Sequence, residues 1–468
     1  GQPARVTRDT RIPAQLLVLG LALGPRQQLG SHQQVEQLEN RIASDPVDAE
    51  VRRLFRERSD VYAARIAGLP QSLVDERRRL AEEIDTLKNS NVAMRDVFAL
   101  ERQRRELPKT PDAAHSYWSS LQQQAAERGS ELVHHAEPYP GRTEAERNAS
   151  RTNFIALVFC LMIGTAALPH MLMRYYTTPS VREARSSVFW SLLFIMALYL
   201  TAPAYAVFAK FEIYSRLVGV GISELPGWVT AWGKLGLVSI DDINGDGLLQ
   251  LAELALNPDV IVLAIPEIAG LPYVISGLVA AGALAAALST ADGLLLTITG
   301  ALSHDVYYKV LRPNASTHWR LVVSKTLLLV VAVLAAAVAS QKPATILAMV
   351  AWAFSLAGAA FFPALVLGIF WKRANRAGAV AGMLIGLLVT LYYMVRVQFN
   401  AIPWLGLHGI GMEPWLGIQS TSAGIWGVAA GFVSIVLVSL LTEPPSSEAL
   451  GLVELVRSPE ATGPGVPR

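Results

Sequence analysis

Polar and apolar positions divide this chain near residue 150. Before it, Arg, Glu, Gln and Asp dominate, and Leu73, Leu80, Ile84, Leu87 and Met94 recur as a broken heptad seam between charged neighbours. That spacing predicts an extramembrane helical hairpin with coiled-coil character, punctuated by Pro46, Pro70 and Pro108. After Asn153 the pattern changes to near-uncharged stretches of about 20 residues, the length that crosses a hydrocarbon core. Seven such spans are expected: Asn153–Tyr175, Val188–Ala209, Leu271–Ala301, Leu321–Ser340, Ile346–Trp371, Ala377–Val395 and Ala423–Leu441. The predicted fold is therefore all-α, a polytopic membrane helix bundle carrying an extramembrane helical insert.

The third span is too long for one straight crossing, and Ser303-His304-Asp305 marks the point where it is expected to leave the membrane. Short loops carrying Arg174, Arg182 and Arg185, then Lys309, Arg312 and Arg320, then Lys372, Arg373 and Arg376, are expected to be cytoplasmic. This orientation places residues 1–150 and an acidic loop at 210–268 outside an inner (plasma) membrane. The transmembrane domain covers 151–442, and the Pro-rich stretch 443–468 reads as a disordered cytoplasmic tail. Leu16–Leu23 is a short apolar run without a small-residue cleavage pattern, so no signal peptide is expected, and the absence of an initiator Met suggests a carboxy-terminal fragment.

Composition narrows the function classes. The net charge is only +2 and the cations are dispersed, which argues against a nucleic-acid partner and leaves the lipid bilayer as the main environment. The single cysteine, Cys160, permits neither an internal disulfide nor a Cys-based zinc site, and reads as a small packing or lipid-facing residue. No nucleophile triad, metalloprotease or nucleotide motif occurs in a plausible context, so no enzyme is expected.

Two intramembrane stretches could carry chemistry. In the third span, Ala286, Ser289, Thr290 and Gly293 share one helical face, with Asp292 at its edge. Hydroxyl and carbonyl oxygens suit a hard ion such as Na⁺, although membrane Ser and Thr also bond back to the carbonyl one turn earlier. An ionised Asp in a span costs at least about 3 kcal/mol on insertion scales, so Asp292 is expected to attract an ion, couple protons or hold a structural partner. In the first span, Gly164 and Pro169 flank a predicted break next to His170. Such breaks expose backbone to solute in secondary transporters, and a plain proline kink has the same signature.

The acidic loop holds the other motif, Asp242-Ile-Asn244-Gly-Asp246-Gly-Leu248-Leu-Gln250-Leu-Ala-Glu253. It matches a 12-residue calcium loop: Asp242, Asn244 and Asp246 as side-chain ligands, the Leu248 carbonyl, Gln250 directly or through water, and a bidentate Glu253. Gly247 supplies the sharp turn, Leu249 fits the position that packs inward, and the expected role of Ca²⁺ is structural. An acidic Gly-rich turn without an ion is the plainer alternative.

The stretches GTAALPHMLMR at 164–174 and AALSTADGLLLTITGALSHDVY at 286–307 resemble the sodium:solute symporter family, in particular its cation/acetate (monocarboxylate) branch. The resemblance covers roughly 153–441. It implies an inverted-repeat fold, Na⁺ as coupling ion, a small organic solute, and a sodium site in which a small-residue carbonyl and two hydroxyls match Ala286, Ser289 and Thr290. It also implies that the remaining ligands lie on amino-terminal helices missing from this chain, supplied in cis or in trans, without which the chain is inactive. The expected function is sodium-coupled symport of a monocarboxylate such as acetate; the alternative is a transporter-like membrane sensor or scaffold.

Overall fold

The structure, a computed structural model, describes residues 25–89, 94–135, 137, 139–141, 143–175, 178–341, 344–398 and 414–457. The apolar run Leu16–Leu23 lies outside them. The chain divides into two compact units, Gly1–Glu137 with Met196–Leu278, and Pro138–Ile195 with Val279–Arg468.

The first unit joins the charged insert to the acidic loop. Its helices are α1 (Pro25–Ala43), α2 (Pro46–Ala67), α3 (Gln71–Asn89), α4 (Met94–Glu106) and α5 (Pro111–Arg128). Asp45 caps α2 by accepting the Val47 N–H at 2.9 Å, and Thr110 caps α5 by accepting the Ala113 N–H at 3.3 Å, each just ahead of a proline that starts the helix. Two antiparallel pairs result. Lys88 reaches Glu101 at 2.6 Å between α3 and α4, and Ser59 Oγ donates to the Gln122 carbonyl at 3.3 Å between α2 and α5. Leu73, Leu80 and Ile84 of the expected seam are buried, but the contacts alternate between short helix pairs instead of forming one long heptad ladder.

The second half of helix α8 (Val181–Arg216) belongs to this unit. Its Ile213, with Leu217 just beyond the helix, packs on Val229 of α9 (Gly227–Lys234), on Val238 and on Leu249. Strand β1 (Val238–Ile240) pairs antiparallel with β2 (Leu254–Leu256), and α10 (Pro258–Ile268) closes the segment through Ala264, Ile265 and Ile268 against Ala209.

The second unit contains α6 (Glu144–Ala167), α7 (Pro169–Arg174), most of α11 (Tyr273–Gly300), a π-helix (Ala301–Leu311), α12 (Thr317–Ser340), α13 (Ile346–Phe370), α14 (Arg376–Gln398) and α15 (Gly424–Leu441). Among the described residues, seven helical stretches are long and apolar enough to span a membrane, and they fall on the seven expected positions. The helix of the third span continues past Ser303-His304-Asp305, the point where it is expected to leave the membrane. It runs on through the π-helix to Leu311, where widened turns carry the polar residues without ending the helix.

Small residues hold the core of this unit. Gly378, Gly382 and Gly386 of α14, one turn apart, face α15, where Gly427 and Gly431 lie on the apposed backbone. The glycines admit Ile435, Ser439 and Thr390 and let the two backbones approach closely, which is how helices associate in lipid without a hydrophobic drive of their own. Cys160 is buried here, 3.5 Å from the Ser422 carbonyl, as a packing residue. By contrast α11 and α12 bury no residue of their most apolar stretch.

The expected disordered tail differs in part. Residues 447–457 form α16 (Ser447–Arg457), whose Glu454 pairs with Lys372 at 2.6 Å, because Leu450 and Val453 recur at helical spacing. Residues 458–468 lie outside the described residues.

Candidate functional site

The first span breaks where Pro169 predicts. Helix α6 ends at Ala167, Leu168 is extended (φ −64°, ψ 119°), and α7 restarts with Pro169 in its first turn. Gly164 serves the packing of α6 on α13: a Cβ there would lie 2.5 Å from Phe354 Cβ and 2.7 Å from the Phe354 carbonyl oxygen. His170 is 9% exposed, and its buried Nδ1 has no hydrogen-bond partner. A buried ring nitrogen without a partner is costly, so this is a position prepared for a donor or acceptor that the described residues do not supply.

Helix α11 meets this break at Gly293. A Cβ at Gly293 would lie 3.4 Å from an Arg174 guanidinium nitrogen and 4.0 Å from His170 Cβ, so the two motifs expected to carry chemistry are neighbours. Arg174 was expected in a cytoplasmic loop. It ends α7 instead, one turn after His170, and its nearness to α11 has no local signature in the sequence.

On α11 the Thr290 hydroxyl donates to the Ala286 carbonyl at 3.1 Å. That is the back-bonding alternative, and it also sets two of the three expected sodium ligands side by side. Ala286, Ser289, Thr290 and Asp292 are all exposed. Thr297 repeats the arrangement one face along, donating to the Gly293 carbonyl at 2.8 Å.

The acidic loop folds between β1 and β2. Gly245 and Gly247 both have φ +73°, a conformation open to glycine at no steric cost. Asp242 accepts the Gly245 and Gly247 N–H groups at 2.8 and 3.1 Å, and Asp246 accepts that of Leu248 at 2.8 Å. Glu253 is fully buried and accepts the Ile243 N–H at 2.9 Å, closing the loop's last position on its second. Leu249 is fully buried in the core cluster, as its position predicts. Among the described residues, however, no three His, Cys, Asp or Glu side chains converge as a metal site.

The insert rests on this loop. Arg58 Nη1 donates to Asp241 Oδ2 at 2.5 Å, Arg128 lies 3.6 Å from the same oxygen, and Asp48 accepts the Leu251 N–H. Burial pushes the Asp48 carboxyl up to about 6, against the nearby Arg52 charge, and one of its oxygens is buried without a partner. In the same unit Glu39 is fully buried and accepts the His135 N–H at 2.8 Å and the Lys210 ammonium at 3.3 Å. Sequence reading missed both carboxylates, which look like ordinary members of a charged helix.

Seven apolar helices, one of them broken beside a hydroxyl-bearing neighbour, define a multi-pass all-α membrane protein. Residues 256–386 match the sodium:solute symporter family. The chain is 49% identical over 411 residues to an uncharacterized symporter of Cupriavidus necator, a match covering 87% of this chain and 60% of that protein. It is 28% identical over 332 residues to a monocarboxylic acid transporter of Corynebacterium glutamicum, covering 70% of this chain and 53% of that one. The chain thus spans little more than half the length of these relatives.

Proposed function

We propose that residues 151–442 are part of a sodium-coupled symporter for a small monocarboxylate such as acetate. The observation that carries this reading is the pairing of the Ala286 carbonyl with the Thr290 hydroxyl on an exposed face of α11, inside the family-matched stretch. In this reading Ala286, Ser289 and Thr290 bind Na⁺ through oxygen donors, and Asp292 adds a nearby negative charge for ion or proton coupling. The break at Gly164–Pro169 and the open ring nitrogen of His170 face the solute, and the likeness to the monocarboxylic acid transporter of Corynebacterium supports a carboxylate. Helices supplied in the same polypeptide or by a partner complete the ion site. The insert and the 210–268 loop lie outside the plasma membrane, with the carboxy-terminus in the cytoplasm. Ion binding favours the outward-open state and so raises solute affinity.

The test uses cells carrying Ser289→Ala or Thr290→Ala at the native locus, with labelled acetate uptake read against external sodium. Each change should raise the sodium concentration for half-maximal uptake about tenfold or more, equivalent to about 1.4 kcal/mol of lost ion binding. An unchanged sodium dependence in both variants, at equal membrane protein level, removes the ion from α11. Uptake that persists undiminished without sodium in the unaltered protein rejects sodium coupling altogether.

A further inference from the structure

We propose that the loop Asp242–Glu253 is a calcium site that fixes the surface on which the insert docks. Five side-chain donors and one carbonyl fall at the spacing of a 12-residue calcium loop, and the backbone already follows the required path. The independent sign of a missing ligand is Gln250. It is 6% exposed, its Nε2 donates to Asp246 Oδ2 at 2.8 Å, and its Oε1 is buried with no hydrogen-bond partner. The amide therefore lies among the carboxylates with an acceptor oxygen that no donor satisfies. A buried acceptor in that state is unfavourable, and a hard cation is the partner that an amide oxygen beside carboxylates fits.

Charge argues the same way. Glu253 is wholly buried, and its two oxygens accept the N–H groups of Ile243 and Gln250 at 2.9 and 3.2 Å, which holds its negative charge in the same loop as Asp242 and Asp246. The nearest guanidinium, that of Arg128, is engaged with Asp241 outside the loop. Each Asp242 oxygen accepts one N–H and keeps a second lone pair, so the loop's own bonds do not exhaust it. Asp246 Oδ2 is held instead by the side-chain amides of Asn244 and Gln250, at 2.9 and 2.8 Å. These two bonds stand where a cation would, and they keep the carboxylates from converging; binding exchanges them for the ion.

The loop is braced from outside its own sequence. Leu249 donates its N–H to the Val220 carbonyl at 2.9 Å and its carbonyl accepts the Gly219 N–H at 2.8 Å, so residues 219–220 take the place of a second, paired loop. One such loop without a partner loop suits a fixed structural ion and not a switch. Asp241, which receives Arg58 and Arg128, immediately precedes the first ligand, and Leu251, which Asp48 engages, lies between the last two. The ion therefore orders the strip that the insert touches.

The experiment is equilibrium dialysis of radioactive calcium against the full 468-residue chain in lipid nanodiscs, beside the variants Asp246→Asn and Glu253→Gln. One ion per chain is expected, with half-saturation at roughly 10⁻⁴ to 10⁻³ M as in extracellular calcium modules. Either variant should weaken binding at least tenfold. Asp246 is exposed, so its variant reads binding even if Glu253→Gln fails to fold. Fluorescence of Trp228 and Trp232, which pack on the Leu249 cluster, gives a second reading and should change with calcium and not with equal magnesium. No saturable binding, binding unaffected by Asp246→Asn, or an equal response to magnesium each overturns the proposal. None of these readings requires transport.

Discussion

Replacing Gly427 with alanine should break the packing of α14 on α15 and leave the membrane unit without a stable core. A Cβ at Gly427 would overlap the Thr390 hydroxyl and lie 2.5 Å from the Gly386 carbonyl oxygen and 2.7 Å from Ala359 Cβ. Two of these neighbours are fixed, one backbone atom and one methyl that no rotamer change can move, so the helices have to separate. Overpacking of this kind costs typically 1–3 kcal/mol, and the number of simultaneous contacts puts this case at or above the upper end. The check is thermal stability of the detergent-extracted chain beside Gly277→Ala in α11, where a Cβ meets nothing within 4 Å. Gly277→Ala should match or slightly exceed the parent, because alanine is the better helix former. Equal melting of both variants would show that the seam is not tight.

The second large effect concerns Asp48. Its carboxyl is raised from 3.8 to about 6 chiefly by burial, with Asp45 adding repulsion and Arg52 and the Leu251 N–H opposing it. A carboxyl raised in the folded state favours folding while protonated. That contribution is complete below about pH 4 and is lost as pH rises toward 6, so at neutral pH the charge costs as much as about 3 kcal/mol. Asp48→Asn keeps an acceptor for the Leu251 N–H and removes the charge. The variant should melt several degrees higher than the parent at pH 7.5 and lose the parent's decline between about pH 4 and 6. Thermal melts at pH 4.5 and 7.5 decide this, and a lower melting point for the variant at pH 7.5 would mean that the carboxylate charge is used by the fold.

The spans were legible because lipid forces a long uncharged run on each, and a run needs no knowledge of its neighbours. The break before Pro169 was legible for an equally local reason, the missing N–H and the clash of the ring. Leu249 and Gly247 of the acidic loop followed from a motif whose positions are each dictated by a turn or a packing need, whereas the positive φ of Gly245 was not read. What escaped the sequence was long-range. Arg58 and Asp241 are 183 positions apart, and nothing near either residue marks the other. Glu39 and Asp48 escaped because burial of a carboxylate is decided by what lands on it. Arg174 was read as a loop cation from charge alone, and only the approach of α11 at Gly293 shows it beside His170. The π-helix escaped because widened turns leave no signature in the pattern of polar and apolar residues.

The glycine seam between α14 and α15 bears on how this membrane unit can change shape. Thr390, Ile435 and Ser439 lie directly against the seam glycines and leave no space to slide into, and Gly164 and Gly358 bring α6 and α13 together in the same manner, against Phe354 and Ile163. These four helices move as one block. Bending is left to the one place where α6 has already given up its helical path, Leu168, so the arc swept by His170 is set by a single pair of backbone torsions.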